Sequence, residues 1–141
     1  MLKYCVEQWE KNKENLREAL KQFDFSNEEM DYKVLMSLVI THILEDEWDS
    51  KNFTMVDDGD YQGTLLFIIP EKIYQPSEEH YLMTYVNYGS CSYCDTMQGI
   101  LYESESNTIK VEDLMNLALH MVQRMIHPFA HHWNEEFYKE I

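Results

Sequence analysis

The chain has 141 residues and a formal net charge of −15, with 45% hydrophobic and 13% aromatic residues. That is enough apolar material for a core, so an intrinsically disordered chain is excluded, and a length of this order suits one domain (1–141) that folds without disulfides or metal. The charge argues against direct nucleic-acid binding, which depends on Lys and Arg neutralising phosphates, and against anionic membrane surfaces, and no run of 18 apolar residues is present to span a bilayer.

Residues 4–22 read as a helix, with Tyr4, Cys5, Trp9, Leu16, Leu20 and Phe23 along one stripe. The opening "MLKYCVEQWEKNKE" lacks the apolar stretch of a secretory signal. Three cysteines in no framework spacing fit a reducing, cytosolic setting. The charge is uneven. Residues 1–21 carry five basic against four acidic residues, and residues 22–141 carry six against 22, a net of −16.

A second helix is expected from "SNEEMDYKVLMSLVITHIL", where Ser26 and Glu29 have the spacing of a capping box. Its inner stripe is Val34, Leu35, Leu38, Val39, His42 and Ile43. Residues 53–58 and 63–70 then read as strands joined by a loop around Gly59 and Gly63. The nearly continuous apolar run Leu65–Ile69 predicts a central strand covered on both faces. Residues 81–89 form a third strand, with Tyr81, Met83, Tyr85 and Asn87 on one face.

"YGSCSYCD" (88–95) leads into a short helix at about 95–102, and "ESESNTIK" reads as a polar loop. A long amphipathic helix follows, with Val111, Leu114, Met115, Ala118, Met121, Val122, Met125 and Ile126 on one face, ended or kinked by Pro128. "FAHHWNEEFYKEI" is expected to add a last helical turn or two. The whole is an α+β fold: a small three-stranded antiparallel sheet packed by an N-terminal helix pair and by C-terminal helices.

Several chemistries can be weighed against these residues. Cys91-x-x-Cys94 is half of a structural zinc site; His127, His131 and His132 are the available partners, but Pro128 separates the first from the others. The competing reading is reduced, packed thiols. A strand feeding Cys-x-x-Cys into a helix is similar in outline to a thioredoxin-like site, yet the parallel strand such a fold requires is missing and Asp95 opposes a thiolate. No histidine is spaced to activate Ser90, Ser92 or a cysteine, and His42 and His120 lie on apolar helix faces as core residues would. Phosphate binding lacks a nearby Lys or Arg. "DDGD" lacks the ligand spacing of a calcium loop. The expectation is therefore a protein without catalytic activity, cofactor or metal, in which Gly89 permits a bend, a serine caps the short helix and Asp95 sits at its positive end.

The acidic clusters remain. Glu45, Asp46, Glu47, Trp48 and Asp49 precede the first strand, and Asp57, Asp58, Asp60 and Tyr61 follow it. A strand between them sets the two groups about 20 Å apart. This predicts a two-lobed negative rim with Trp48, Tyr61 and Phe53 as exposed anchors. One reading of so much charge is solubility alone; the other is attraction to a basic groove.

"GTLLFIIP…YQPSEEHYLMTYVNYGSCSYCDTMQGI" resembles a group of small proteins encoded in bacteriophages and prophages, whose shared mark is Tyr-Gly-Ser-Cys-Ser-x-Cys-Asp followed by a hydrophobic residue and Gln. The match covers residues 88–98, and more loosely 61–126. The resemblance implies a phage origin and action in the host bacterial cytoplasm, and no mechanism. Small acidic phage proteins of this kind suggest an inhibitor of a host nucleic-acid-binding defence protein, such as an anti-CRISPR protein acting on a CRISPR effector. The alternatives are a small zinc-binding or regulatory module using Cys91 and Cys94, and a non-catalytic phage accessory protein that self-associates through apolar surface.

Overall fold

The computed structural model describes residues 2–59, 62–91, 95–103 and 106–128. Helix α1 (Leu2–Gln22) turns one stripe inward, burying Cys5, Gln8, Trp9, Leu16 and Leu20 at helical spacing. It packs on α2 (Tyr32–His42) and on α4 (Asn107–Gln123). At the rim of the α1–α4 contact the Arg17 guanidinium donates to Glu14 of its own helix and to Glu112 of α4. These are exposed groups, so the pair fixes orientation more than it adds stability.

Helix α2 begins later than the Ser26/Glu29 pattern predicts. Its cap is Asp31, whose carboxylate accepts the Val34 N–H at 2.8 Å. Residues 24–28 form a separate turn in which Asp24 accepts from the Ser26 N–H and the Asn27 side chain. Those donors are therefore already used, and the chain turns inward to bury Met30 before the helix and Tyr32 at its first position. The buried stripe is Leu35, Met36, Val39, Ile40 and Ile43, rotated from the predicted one. Val34, Leu38 and His42 sit half-buried at its edge.

The sheet has the order β1-β2-β3, all antiparallel: β1 (Thr54–Asp57), β2 (Gly63–Pro70) and β3 (Tyr81–Tyr88). Leu66 stands opposite Val56 on one side and Tyr85 on the other, and Phe67 stands opposite Met55 and Thr84. The inner row is Leu65, Phe67 and Ile69 of β2 with Leu82, Thr84 and Val86 of β3, all buried. Thr84 satisfies its hydroxyl there by donating to the Met121 carbonyl at 2.6 Å.

The prediction that β2 is covered on both faces is corrected. Leu66 and Ile68 on the outer face are half-buried, and Val56 and Tyr85 beside them are exposed. The apolar run reflects a central position between two strands, whose outer side chains shield their neighbours in part. The Arg124 guanidinium lies 4.9 Å from the Tyr85 ring centre and adds to that shield.

After β3 come α3 (Thr96–Glu103) and α4. Helix α4 starts inside the segment read as a polar loop, because Ser106 accepts the Ile109 N–H and caps it. It also ends earlier, at Gln123. Ile126, predicted to be helical, instead exchanges two backbone hydrogen bonds of 2.9 Å with Met83 and covers the outer edge of β3. The helix thus ends five residues before Pro128, where the chain turns back into that bridge. The inner face of α4 buries Val111, Leu114, Met115, Leu117, Ala118, Met121 and Val122. His120 falls outside this face and is exposed, against the expectation of a core histidine. The expected last turns in 129–141 lie outside the described residues. Among the described residues no helix is long and apolar enough to cross a membrane.

Candidate functional site: an acidic rim at the ends of the sheet

The sheet positions both acidic groups. The 47–49 segment is stitched to the far end of β2: Asp49 N–H donates to the Pro70 carbonyl at 2.9 Å, Lys72 N–H to the Glu47 carbonyl at 2.7 Å, and Trp48 forms an isolated bridge with Glu71. Asp57 and Asp58 stand at the opposite end, where Asp58 N–H donates to the Thr64 carbonyl. Thr64 and Pro70 are six residues apart on one strand, a span of about 20 Å.

The two groups differ in what their carboxylates do. Asp57 accepts from the Gly59 N–H and the Tyr88 hydroxyl, and Asp58 accepts from the Thr64 N–H at 2.6 Å. Both therefore build their own hairpin loop, which the close approach of Gly59 to residues 62 and 63 also requires. Asp49 likewise accepts from the Lys51 and Asn52 N–H groups and the Asn52 amide. Glu45, Asp46 and Glu47 are exposed and less committed: Glu45 takes a long 3.4 Å bond from Gln8, and Asp46 pairs with Lys72 at 2.8 Å. The Lys72 ammonium holds the Asp46 carboxyl below its usual range. Glu47 is held above it, by partial burial first and then by the charges of Glu45 and Glu71.

The predicted anchors are corrected. Trp48 is 5% exposed and Phe53 8%. The bridge to Glu71 turns the Trp48 indole inward, where it meets the His127 ring edge-on at 6.2 Å and lies beside the Tyr4 hydroxyl. Burial pushes that hydroxyl up to about 12, against a smaller opposing effect of the indole N–H. Phe53 packs on Phe67, ring centres 6.0 Å apart. Asp60 and Tyr61 lie outside the described residues. Among the described aromatic side chains Tyr74 is the most exposed, at 91%, next to Ile73 at 46%. The stretch that follows it, "QPSEEH", reads in sequence as a connection between strands. A tyrosine among acids ahead of Gln-Pro is the one signal there that could have singled it out.

The "YGSCSYCD" turn is organised by Asp95. This residue is buried, and its carboxylate accepts from the Tyr32 hydroxyl at 3.0 Å, the Gly89 N–H at 2.9 Å and the Gln98 N–H at 2.8 Å. The last bond makes Asp95, and not a serine, the residue that caps α3. Gly89 is buried and does not adopt a positive φ, so its contribution is the amide bond to Asp95. Cys91 is exposed, against the expectation of a packed thiol, whereas Cys5 is buried and burial raises its thiol to about 11. Cys94, Ser92, His131 and His132 lie outside the described residues. Among the described residues no group of three or more His, Cys, Asp or Glu side chains is placed to hold a metal.

One histidine does meet a hydroxyl and an acid, which the sequence spacing did not suggest. His80 Nδ1 lies 2.9 Å from Ser77 Oγ, and Nε2 lies 3.9 Å from Glu71. The Ser77 N–H also donates to that Nδ1, at 3.1 Å. The arrangement closes the single 3₁₀ turn Glu78–His80, and the distance to Glu71 is too long for a hydrogen bond that would orient a catalytic base. A groove of about 600 Å³ between α1 and α2 is lined by Asn15, Glu18, Gln22, Thr41 and His42 among others, and by no residue of either acidic group. No family model, no curated protein and no solved structure matches this chain.

Proposed function

We propose that the protein is an acidic inhibitor of a host nucleic-acid-binding defence protein, of the anti-CRISPR type, which presents carboxylates to a basic groove in place of phosphates. The observation that carries this reading is charge in a defined place: a net of −16 over residues 22–141, with Glu45, Asp46 and Glu47 exposed at one end of the sheet. Asp57 and Asp58 supply the second lobe about a strand length away. Their internal hydrogen bonds leave the first lobe as the stronger contributor. The resemblance to phage-encoded proteins supports the choice of a host defence target.

The test is competition. Purified CRISPR effectors are assayed for target binding with increasing protein, in 50 mM and 300 mM salt. Inhibition is expected to weaken at the higher salt and in the triple variant Glu45→Gln, Asp46→Asn, Glu47→Gln. Inhibition untouched by the triple variant would sink the carboxylate mechanism.

A second reading, a non-catalytic phage accessory protein that self-associates, is favoured by the open outer face of the sheet, where Val56, Tyr85 and Ile126 are exposed. Light scattering across concentration tests it: a constant monomer mass removes it.

A further inference from the structure

We infer that the loop over residues 72–76 is an arginine-reading anchor, in which the Tyr74 ring stacks on a guanidinium of a basic partner protein while neighbouring carboxylates pair with it. This rests on the reading above and names the chemistry at its centre. Trp48 and Phe53 are turned inward, whereas Tyr74 and Ile73 stand exposed on the loop that the Lys72 N–H bonds to the Glu47 carbonyl.

The loop is braced before anything binds. Glu71 N–H donates to the His80 carbonyl, Lys72 N–H to the Glu47 carbonyl and Ile73 N–H to the Glu71 carbonyl, at 2.7 to 2.9 Å. Gln75 then takes φ 52, the one positive φ at a non-glycine among the described residues. A tyrosine held on such a loop has few torsions left to lose, so contact with it costs little ordering entropy.

Charge selects the ligand. Glu71, Glu78 and Glu79 lie on the same connection and Glu47 is bonded to it, while the Lys72 ammonium is engaged by Asp46. Phosphates and anionic lipids are repelled there, and a cation is attracted. Between the two cationic side chains, arginine suits a ring beside carboxylates. Its planar, weakly hydrated guanidinium stacks on an aromatic face and still offers a fork of donors at its edge. The molecule makes the same contact internally, with Arg124 over Tyr85.

The experiment uses the full chain and two labelled peptides of equal length and charge, six arginines or six lysines spaced by Gly-Ser, titrated in 50 mM salt. The arginine peptide is expected to bind about 5-fold more tightly than the lysine peptide. Tyr74→Ala is expected to remove that preference, weakening the arginine peptide more than the lysine peptide, and Tyr74→Phe to keep it. Tyr74 is exposed, so both variants are expected to melt as the wild type does, checked by circular dichroism. Binding of both peptides with no preference, or a preference that survives Tyr74→Ala, overturns the anchor and leaves the acidic-surface reading standing. Failure of both peptides to bind overturns the two together.

Discussion

Replacing Asp95 with alanine removes the acceptor from three donors at once: the Tyr32 hydroxyl and the Gly89 and Gln98 amides. The site is 4% exposed, so water cannot freely replace the carboxylate. A buried donor left without a partner costs about 1–3 kcal/mol, but the Tyr32 hydroxyl rotates and the Gln98 amide is part-buried, so the sum is expected near the low end, about 3–5 kcal/mol. That is a large share of the roughly 5–15 kcal/mol that holds a domain together. At this chain length it corresponds to a fall of about 10–17 °C in Tm. Tyr32→Phe removes a hydroxyl that donates to Asp95 and accepts from the Met97 N–H, and is expected to cost about 1–2 kcal/mol. Urea unfolding of both single variants and the double variant measures the coupling, expected at about 1–2 kcal/mol because the two groups share one bond. A loss below about 1 kcal/mol for Asp95→Ala would refute the claim that Asp95 organises the turn, as would simple additivity in the double variant.

The titrating groups make opposite predictions. Glu47 is held above the usual carboxylate range in the folded protein, so its ionisation opposes folding. Glu47→Gln should raise the urea midpoint at pH 7, and that gain should vanish as pH falls below about 4. His127 is pushed below its ordinary value of 6.5, chiefly by burial, so its contribution is intact above that value and is lost as pH falls through the depressed one. Urea midpoints measured from pH 7.5 down to 5 should drop in the wild type and drop less in His127→Gln. Cys5, buried and with its thiol raised to about 11, should resist a thiol reagent at pH 8 until the protein unfolds, read by labelling in the Cys91→Ser, Cys94→Ser background.

The element order and the α+β class were legible in the chain itself, because strand and helix periods are local. Leu65, Phe67 and Ile69 alternate, Leu114, Ala118 and Met121 recur by helical turns, and both patterns survive whatever packs on them. Helix ends were less legible, because caps compete: Asp31 won over Ser26, and Ser106 began α4 inside a polar segment. The acidic groups could be placed a strand apart, since one strand separates them in sequence. Which aromatic faces solvent could not, because that is decided by pairing between distant segments. The Trp48–Glu71 bridge buries the tryptophan that the sequence offers as an anchor and carries Tyr74 outward on the next loop. The Met83–Ile126 bridge likewise takes the chain that leaves α4 to the edge of β3. Hydrophobicity names the residues able to fill a core, and backbone hydrogen bonds between segments far apart in sequence choose which of them do.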